Sequence, residues 1–251
     1  MRRFRPTLLA LLSLSILPAL TAGAVTIVAP GGHDTQEGNN GSSAPFNNFE
    51  GRYQQAYAAS HFDSGLLEIT EIAFRTDTDP AAADWTSDLT FTINLSTSQN
   101  AVGSLSTTFA DNVGADAALV YTATAGVFGG TNAGGPAPNA FDVILTLDTP
   151  FLYNPANGDL LMEVLMETQV NFLPLNGFSY LDAVESETGT FDIGLQRVFN
   201  GGGDTAALTG STDVEGFGLV TRFEYTVVPE PGTGALVMSG LLGLALRRRR
   251  A

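Results

Sequence analysis

The chain has 251 residues, 44% of them hydrophobic and 15% charged, which is enough apolar material for a packed core of one or two domains. It contains no cysteine, which excludes disulfides, a thiolate nucleophile and cysteine-based metal sites. The formal net charge is −15 and there is no lysine; seven of the eleven arginines stand in the first and last five residues. The body therefore sets 26 acids against Arg52, Arg75, Arg197 and Arg222, a field that repels nucleic acid and anionic headgroups and keeps a folded domain soluble.

The N-terminus has the three parts of a secretory signal peptide. Arg2, Arg3 and Arg5 form a basic start, Leu8 to Leu20 an apolar run, and Ala22-Gly23-Ala24 the small residues a signal peptidase reads. Residues 1–24 are thus expected to be a signal helix, cut after Ala24. The polar residues that would accompany a twin-arginine signal are missing around Arg2-Arg3, so general secretion is the expected route.

Val25 to Val28 is a short strand candidate, followed by a Gly- and Asn-rich loop from Pro30 to Ser43. Arg52 to Ser60 has helical propensity and an i, i+4 pair, Tyr53 and Tyr57; it reads as one or two helical turns or as an irregular segment packed on a sheet. From Leu66 onward the pattern is β. Leu67 to Arg75 and Leu89 to Ser96 alternate apolar and polar residues at period two, as half-buried strands do. Further strand candidates are Ala118 to Thr124, Phe141 to Leu147, Leu160 to Leu165, Phe178 to Ala183, Phe191 to Val198 and Gly218 to Val227. Gly-, Pro- and Asn-rich clusters at 77–80, 129–136, 154–159 and 200–204 read as the turns between them. The expected fold is all-β: a single antiparallel β-sandwich of jelly-roll type over residues 25–227, with almost no helix.

Pro229 and Pro231 end the last strand, because neither donates to a ladder. Gly232 to Leu246 is uncharged and, as a short helix, reaches about 22 Å at ~1.5 Å per residue, less than the ~30 Å hydrocarbon core. Arg247, Arg248, Arg249 and Arg250 follow and would stay cytoplasmic, leaving the acidic body outside. Such a segment retains a chain at the membrane temporarily rather than permanently.

Pro229-Glu230-Pro231, the apolar stretch and the terminal arginines, together with the signal peptide, resemble the PEP-CTERM sorting signal of Gram-negative bacteria over residues 228–251. The resemblance implies processing by exosortase, a membrane protease or transpeptidase. It also implies transient insertion in the inner membrane, then the cell envelope, outer surface or a matrix of exopolysaccharide and biofilm. In the middle, Arg52 to Tyr57, Ile72 to Arg75, Ile93 to Ser98, Leu105 to Gly114 and Pro150 to Pro155 resemble segments of a group of PEP-CTERM proteins to which no activity attaches.

Chemistry is sparse. His33 and His61 are the two imidazoles, and His33-Asp34 in a Gly-rich loop reads as a metal pair, as a base with its orienter, or as a solvated pair. No nucleophile elbow, zinc-protease or phosphate-loop motif occurs, and 26 acids permit many glycosidase-like pairs while selecting none. Asp77 and Asp79, with Asp84 nearby, form the densest acidic loop and are weak candidates for a structural Ca²⁺. No other cofactor is expected. Trp85, Tyr53 and Tyr57 are candidate sugar-stacking platforms or core residues. The leading expectation is a non-enzymatic surface or matrix protein; the alternative is a carbohydrate-binding module of the same fold.

Overall fold

The computed structural model describes residues 23–46, 50–78, 84–132, 136–173, 180–213 and 215–229. The expected signal helix and C-terminal hydrophobic helix lie outside the described residues. Thirteen strands are found among them. The first six are β1 (Ala24–Ala29), β2 (Asn40–Ser42), β3 (Gly51–Tyr57), β4 (Leu66–Phe74), β5 (Trp85–Thr97) and β6 (Ala118–Gly130). They are followed by β7 (Val143–Tyr153), β8 (Leu160–Leu173), β9 (Leu181–Glu185) and β10 (Leu195–Asn200). The last are β11 (Ser211–Thr212), β12 (Phe217–Leu219) and β13 (Thr221–Val228), and the described helix is confined to three 3-10 turns.

The strands form three sheets, ordered β1-β13-β4-β7, β11-β10-β3-β8-β5-β6 and β12-β9-β2. Every pairing is antiparallel. The all-β, antiparallel expectation is borne out.

Period-two patterning produces the core directly in β5, where Leu89, Phe91, Ile93 and Leu95 are buried and the residues between them are less so. In β4 the buried positions change from odd (Leu67, Ile69) to even (Ile72, Phe74). A register shift causes the change: Ile69 and Glu71 oppose the adjacent Tyr225 and Glu224 of β13, so Thr70 is one extra residue and inverts the alternation. One apolar cluster draws on all three sheets, through residues such as Phe46, Phe74, Phe91, Leu145, Met162, Leu181 and Phe223. Phe46 sits at its centre, 5.3 Å from the Phe74 ring and 5.1 Å from that of Phe91. Each such side chain contributes about 1.5–3 kcal/mol by leaving water.

The segment read as possibly helical is β3, and the reason is burial on both faces. Tyr53 and Tyr57 point into the core, while Gln54 and Ala56 lie under the loop between β5 and β6. Residues i and i+4 share a face in a strand as well as in a helix, so the tyrosine pair did not discriminate. On the outer side, Ala56, Leu161 and Val198 pack with Leu105, Phe109 and Ala207 in a second, smaller cluster. Buried Asn112 fixes that loop: its Nδ2 donates to Gln54 Oε1 (3.0 Å) and the Ser106 carbonyl (2.8 Å), and its Oδ1 accepts from the Ser106 amide (2.8 Å). Gln54 Nε2 in turn donates to the Phe109 carbonyl and to Glu163.

Several other boundaries differ from expectation. Strands β6, β7 and β8 run on well past Thr124, Leu147 and Leu165. Gly129 and Gly130, expected in a turn, belong to β6 because a Cβ at Gly130 would stand 2.2 Å from Thr76 Oγ1 and 2.7 Å from Trp85 Nε1. The strand expected over 218–227 is two strands, β12 and β13, parted at Val220, whose amide donates to the Asp182 carbonyl.

Replacing Asn112 with Ala strips four hydrogen bonds from buried or half-buried partners, and we expect a loss of about 3 kcal/mol in urea unfolding. An unchanged midpoint would show that the loop is not held by this network.

Candidate functional site

The densest group of ionisable side chains forms where β4 ends. Arg75-Thr76-Asp77 continues past β4 and pairs with Tyr180-Leu181-Asp182. The Asp182 amide donates to the Arg75 carbonyl, Thr76 bridges Leu181, and the Asp77 amide donates to the Tyr180 carbonyl. This pairing places the Arg75 and Asp182 side chains together although they are 107 residues apart in sequence. Both are excluded from water, 1% and 0% exposed. Arg75 Nε donates to Asp182 Oδ2 at 2.6 Å, and a terminal guanidinium nitrogen lies 2.6 Å from the same oxygen in an ion pair. The guanidinium also donates to the Gln36 carbonyl at 2.6 Å and lies 4.8 Å from the centre of the Phe141 ring. Asp182 Oδ1 accepts from the Gly38 amide at 2.8 Å.

Two more carboxylates crowd this pair. Oxygens of Glu37, Asp77 and Asp182 lie within 4.8 Å of one another, and Glu37 Oε1 accepts from the Thr78 amide. Burial pushes the Asp182 carboxyl up to about 6, and Glu37 adds to the rise, against the opposing effects of Arg75 and the Gly38 amide. Because 6 lies above the ordinary value of 3.8, the stability contributed by Asp182 is complete below about pH 4 and is lost as pH rises through about 6.

The calcium expectation is therefore redrawn. Asp77 belongs to this three-element group, but Asp84 does not: its Oδ1 accepts from the Asn132 amide at 2.8 Å. Asp79 lies outside the described residues. Glu37 and Asp182 carried no local sequence signal, since a loop and a distant strand bring them in. Three carboxylates are hard oxygen donors suited to Ca²⁺, but both oxygens of Asp182 already accept hydrogen bonds and Arg75 supplies a resident positive charge.

Other candidates disperse. His33 Nδ1 lies 3.3 Å from the Pro30 carbonyl and its ring lines a cavity of about 380 Å³ with Glu37, Glu185 and Asp192. Asp34 lines another cavity, of about 540 Å³, and among the described residues the His33 ring bonds the Pro30 carbonyl rather than Asp34. His61 Nε2 is 3.2 Å from the Gly194 carbonyl, and burial pushes its pKa down. Tyr53, Tyr57 and Trp85 are core residues, not platforms. They are 0%, 0% and 1% exposed, and their polar atoms bond Gln55, Thr221 and Thr76.

The C-terminal signal meets the fold at β13. Val227 and Val228 pair with Leu67 and Leu66, the last rungs of the ladder, and Pro229 follows at once. Beside them Ala24, the first residue of β1, pairs with Thr226. Residues 227–250 match the PEP-CTERM protein-sorting motif. The chain carries the PEP-CTERM sorting signal. That signal implies an exported, envelope-associated protein processed by exosortase. No curated protein and no solved structure matches the chain. Of the PEP-CTERM residues expected from the sequence, Pro229 is described; Glu230, Pro231 and Arg247 to Arg250 lie outside the described residues. Among the described residues no helix is long and apolar enough to cross a membrane, and the apolar stretch of the PEP-CTERM signal is not among them.

Arg75→Met leaves Asp182 buried without its cation. We expect a loss of about 3–5 kcal/mol in urea unfolding at pH 8, shrinking at pH 5, where the carboxyl holds a proton. An equal loss at both pH values would place the effect in packing instead.

Proposed function

We propose that the protein is a non-enzymatic component of the cell surface or extracellular matrix, associated with exopolysaccharide or biofilm. In this reading residues 1–24 direct general secretion, residues 25–227 form a single β-sandwich of jelly-roll type, and residues 228–251 hold the chain transiently in the inner membrane for exosortase. The observation that carries it is the sorting motif, which begins on the last two rungs of β13 and so joins a membrane-handling segment directly to a folded, acidic body. Antiparallel sheets sharing one apolar cluster support the sandwich.

Support for a non-enzymatic role is the placement of the imidazoles. Among the described residues both histidines bond backbone carbonyls, and neither bonds a hydroxyl or carboxylate that would make a nucleophile–base pair. The carbohydrate-binding alternative loses the three aromatic rings that motivated it, since all are in the core. No cofactor is invoked; in the one three-carboxylate group described, Asp182 is already paired with Arg75.

Expression in an exosortase-bearing host tests the sorting reading. Wild-type protein is expected to lose its tail by intact mass and to leave the inner-membrane fraction, while Glu230→Ala and a deletion of residues 247–250 keep both the tail and the membrane location. The same processing and the same fractionation for all three would overturn it. Retardation of the wild-type protein in polysaccharide gels would instead favour the carbohydrate-binding alternative.

A further inference from the structure

Sheet edges expose unpaired amides and carbonyls, and proteins guard them with charge, proline, short length or cover. Most edges here are guarded. β11 has two residues, and β2 and β12 have three each. β7 contains Asp148 and Pro150. β6 is long and uncharged, but Asp148 Oδ2 accepts from the Thr122 amide (2.8 Å), and just past the strand Asp142 Oδ2 accepts from the Thr131 amide (2.7 Å).

β1 is different. Its six residues, Ala-Val-Thr-Ile-Val-Ala, carry no charge and no proline, and among the described residues their ladder runs to β13 alone. Val25 and Ile27 are only partly buried against the core. An open cavity of about 540 Å³ borders the strand and is lined by its Thr26, Ile27 and Val28 together with Asp34, Arg222 and His61 from the 3-10 turn at 59–61.

We propose that this edge docks a second copy of the same chain, with the two β1 strands pairing antiparallel across a two-fold axis. Charge selects this occupant. Arg222, with its side chain 26% exposed, is the most accessible of the four body arginines. It is paired with Glu71 and shares the cavity with Asp34, so the patch carries both signs and can complement its own copy. An uncharged strand is also where two chains of net charge −15 approach at least electrostatic cost. Pairing shields the partly buried Val25 and Ile27 further and extends the four-stranded sheet to eight strands across the dimer.

The absence of cysteine makes the test direct. A perpendicular two-fold centred on Thr26 sets Thr26 against Thr26 of the other copy; centred on Ile27, it sets Thr26 against Val28. In either register facing Cα atoms stand about 4.5–5.5 Å apart, within disulfide reach. Full-length Thr26→Cys/Val28→Cys protein in detergent, mildly oxidised, is expected to run as a disulfide-linked pair of 26.3 kDa chains, while Thr146→Cys is not. In sedimentation velocity the wild-type full chain is expected to associate more strongly as salt screens the net charge. Thr26→Asp, at an exposed position, is expected to weaken association about tenfold or more by placing two carboxylates in the seam, directly opposed in the Thr26-centred register and diagonal in the other; an unchanged melting temperature verifies its fold. A single-chain wild type at every salt concentration, no cross-link, or equal cross-linking by Thr146→Cys would overturn the proposal. These outcomes are independent of tail processing, so they do not bear on the sorting reading.

Discussion

The structure depends on how four arginines are used in a body with 26 acids. Each is clamped between a carboxylate and a phenylalanine face. Arg52 meets Glu163 (2.8 Å) over Phe109, and Arg75 meets Asp182 (2.6 Å) over Phe141. Arg197 meets Asp213 (2.6 Å) over Phe199 and Phe217, and Arg222 meets Glu71 (2.8 Å) near Phe141. The aromatic faces pack the flat guanidinium while the fork serves the carboxylate, a combination a lysine would not supply. Magnitude separates the four. A partly exposed pair such as Arg222–Glu71 contributes on the order of 0–1 kcal/mol, whereas Arg75–Asp182 is fully enclosed and each partner makes the other tolerable. That pair ties the end of β4 to β9 and to the loop carrying Gln36 and Gly38. The surplus acids are left on the surface, where their mutual repulsion disfavours nucleic acid and anionic lipid as ligands.

Several segments noted for their resemblance to other PEP-CTERM proteins meet in space. Arg52 to Tyr57 is β3, Ile93 to Ser98 is the end of β5, and Leu105 to Gly114 is the loop that closes over β3 through Asn112, Gln54 and Glu163. Their polar residues are explained by this buried network, which holds a loop on a sheet. Half-satisfied, such a network costs more than an apolar patch, so its members stand or fall together.

What was legible in the sequence follows the range of the interaction that writes it. β4 and β5 alternate at period two because one face of each is wetter than the other, so they were read directly. β3 has no wet face and therefore no alternation, and its tyrosines fitted two periods at once. Gly129 and Gly130 looked like turn residues, but their missing side chains make room for Trp85 and Thr86, a contact no local rule announces. The same limit hid Glu37 and Asp182, which join Asp77 only through sheet pairing. The sorting motif was legible because an enzyme reads it as a contiguous string, and its meaning survives without any fold.

Fold and signal are nonetheless mechanically joined. β13 lies between β1 and β4, and it is the only described partner of β1. The motif starts at residue 227, while the ladder runs to Val228, so no spacer separates them. A cut on the C-terminal side of Pro229 leaves every rung intact, whereas a cut a few residues earlier removes the strand end that holds both Leu66 and Leu67. Ala24 opposite Thr226 brings the start of β1 to the same corner, so both chain ends depart from neighbouring strands. Integrity of the exported body after processing thus rests on one rule: Pro229, which cannot extend the ladder, marks the boundary at which the chain stops being structure and becomes signal.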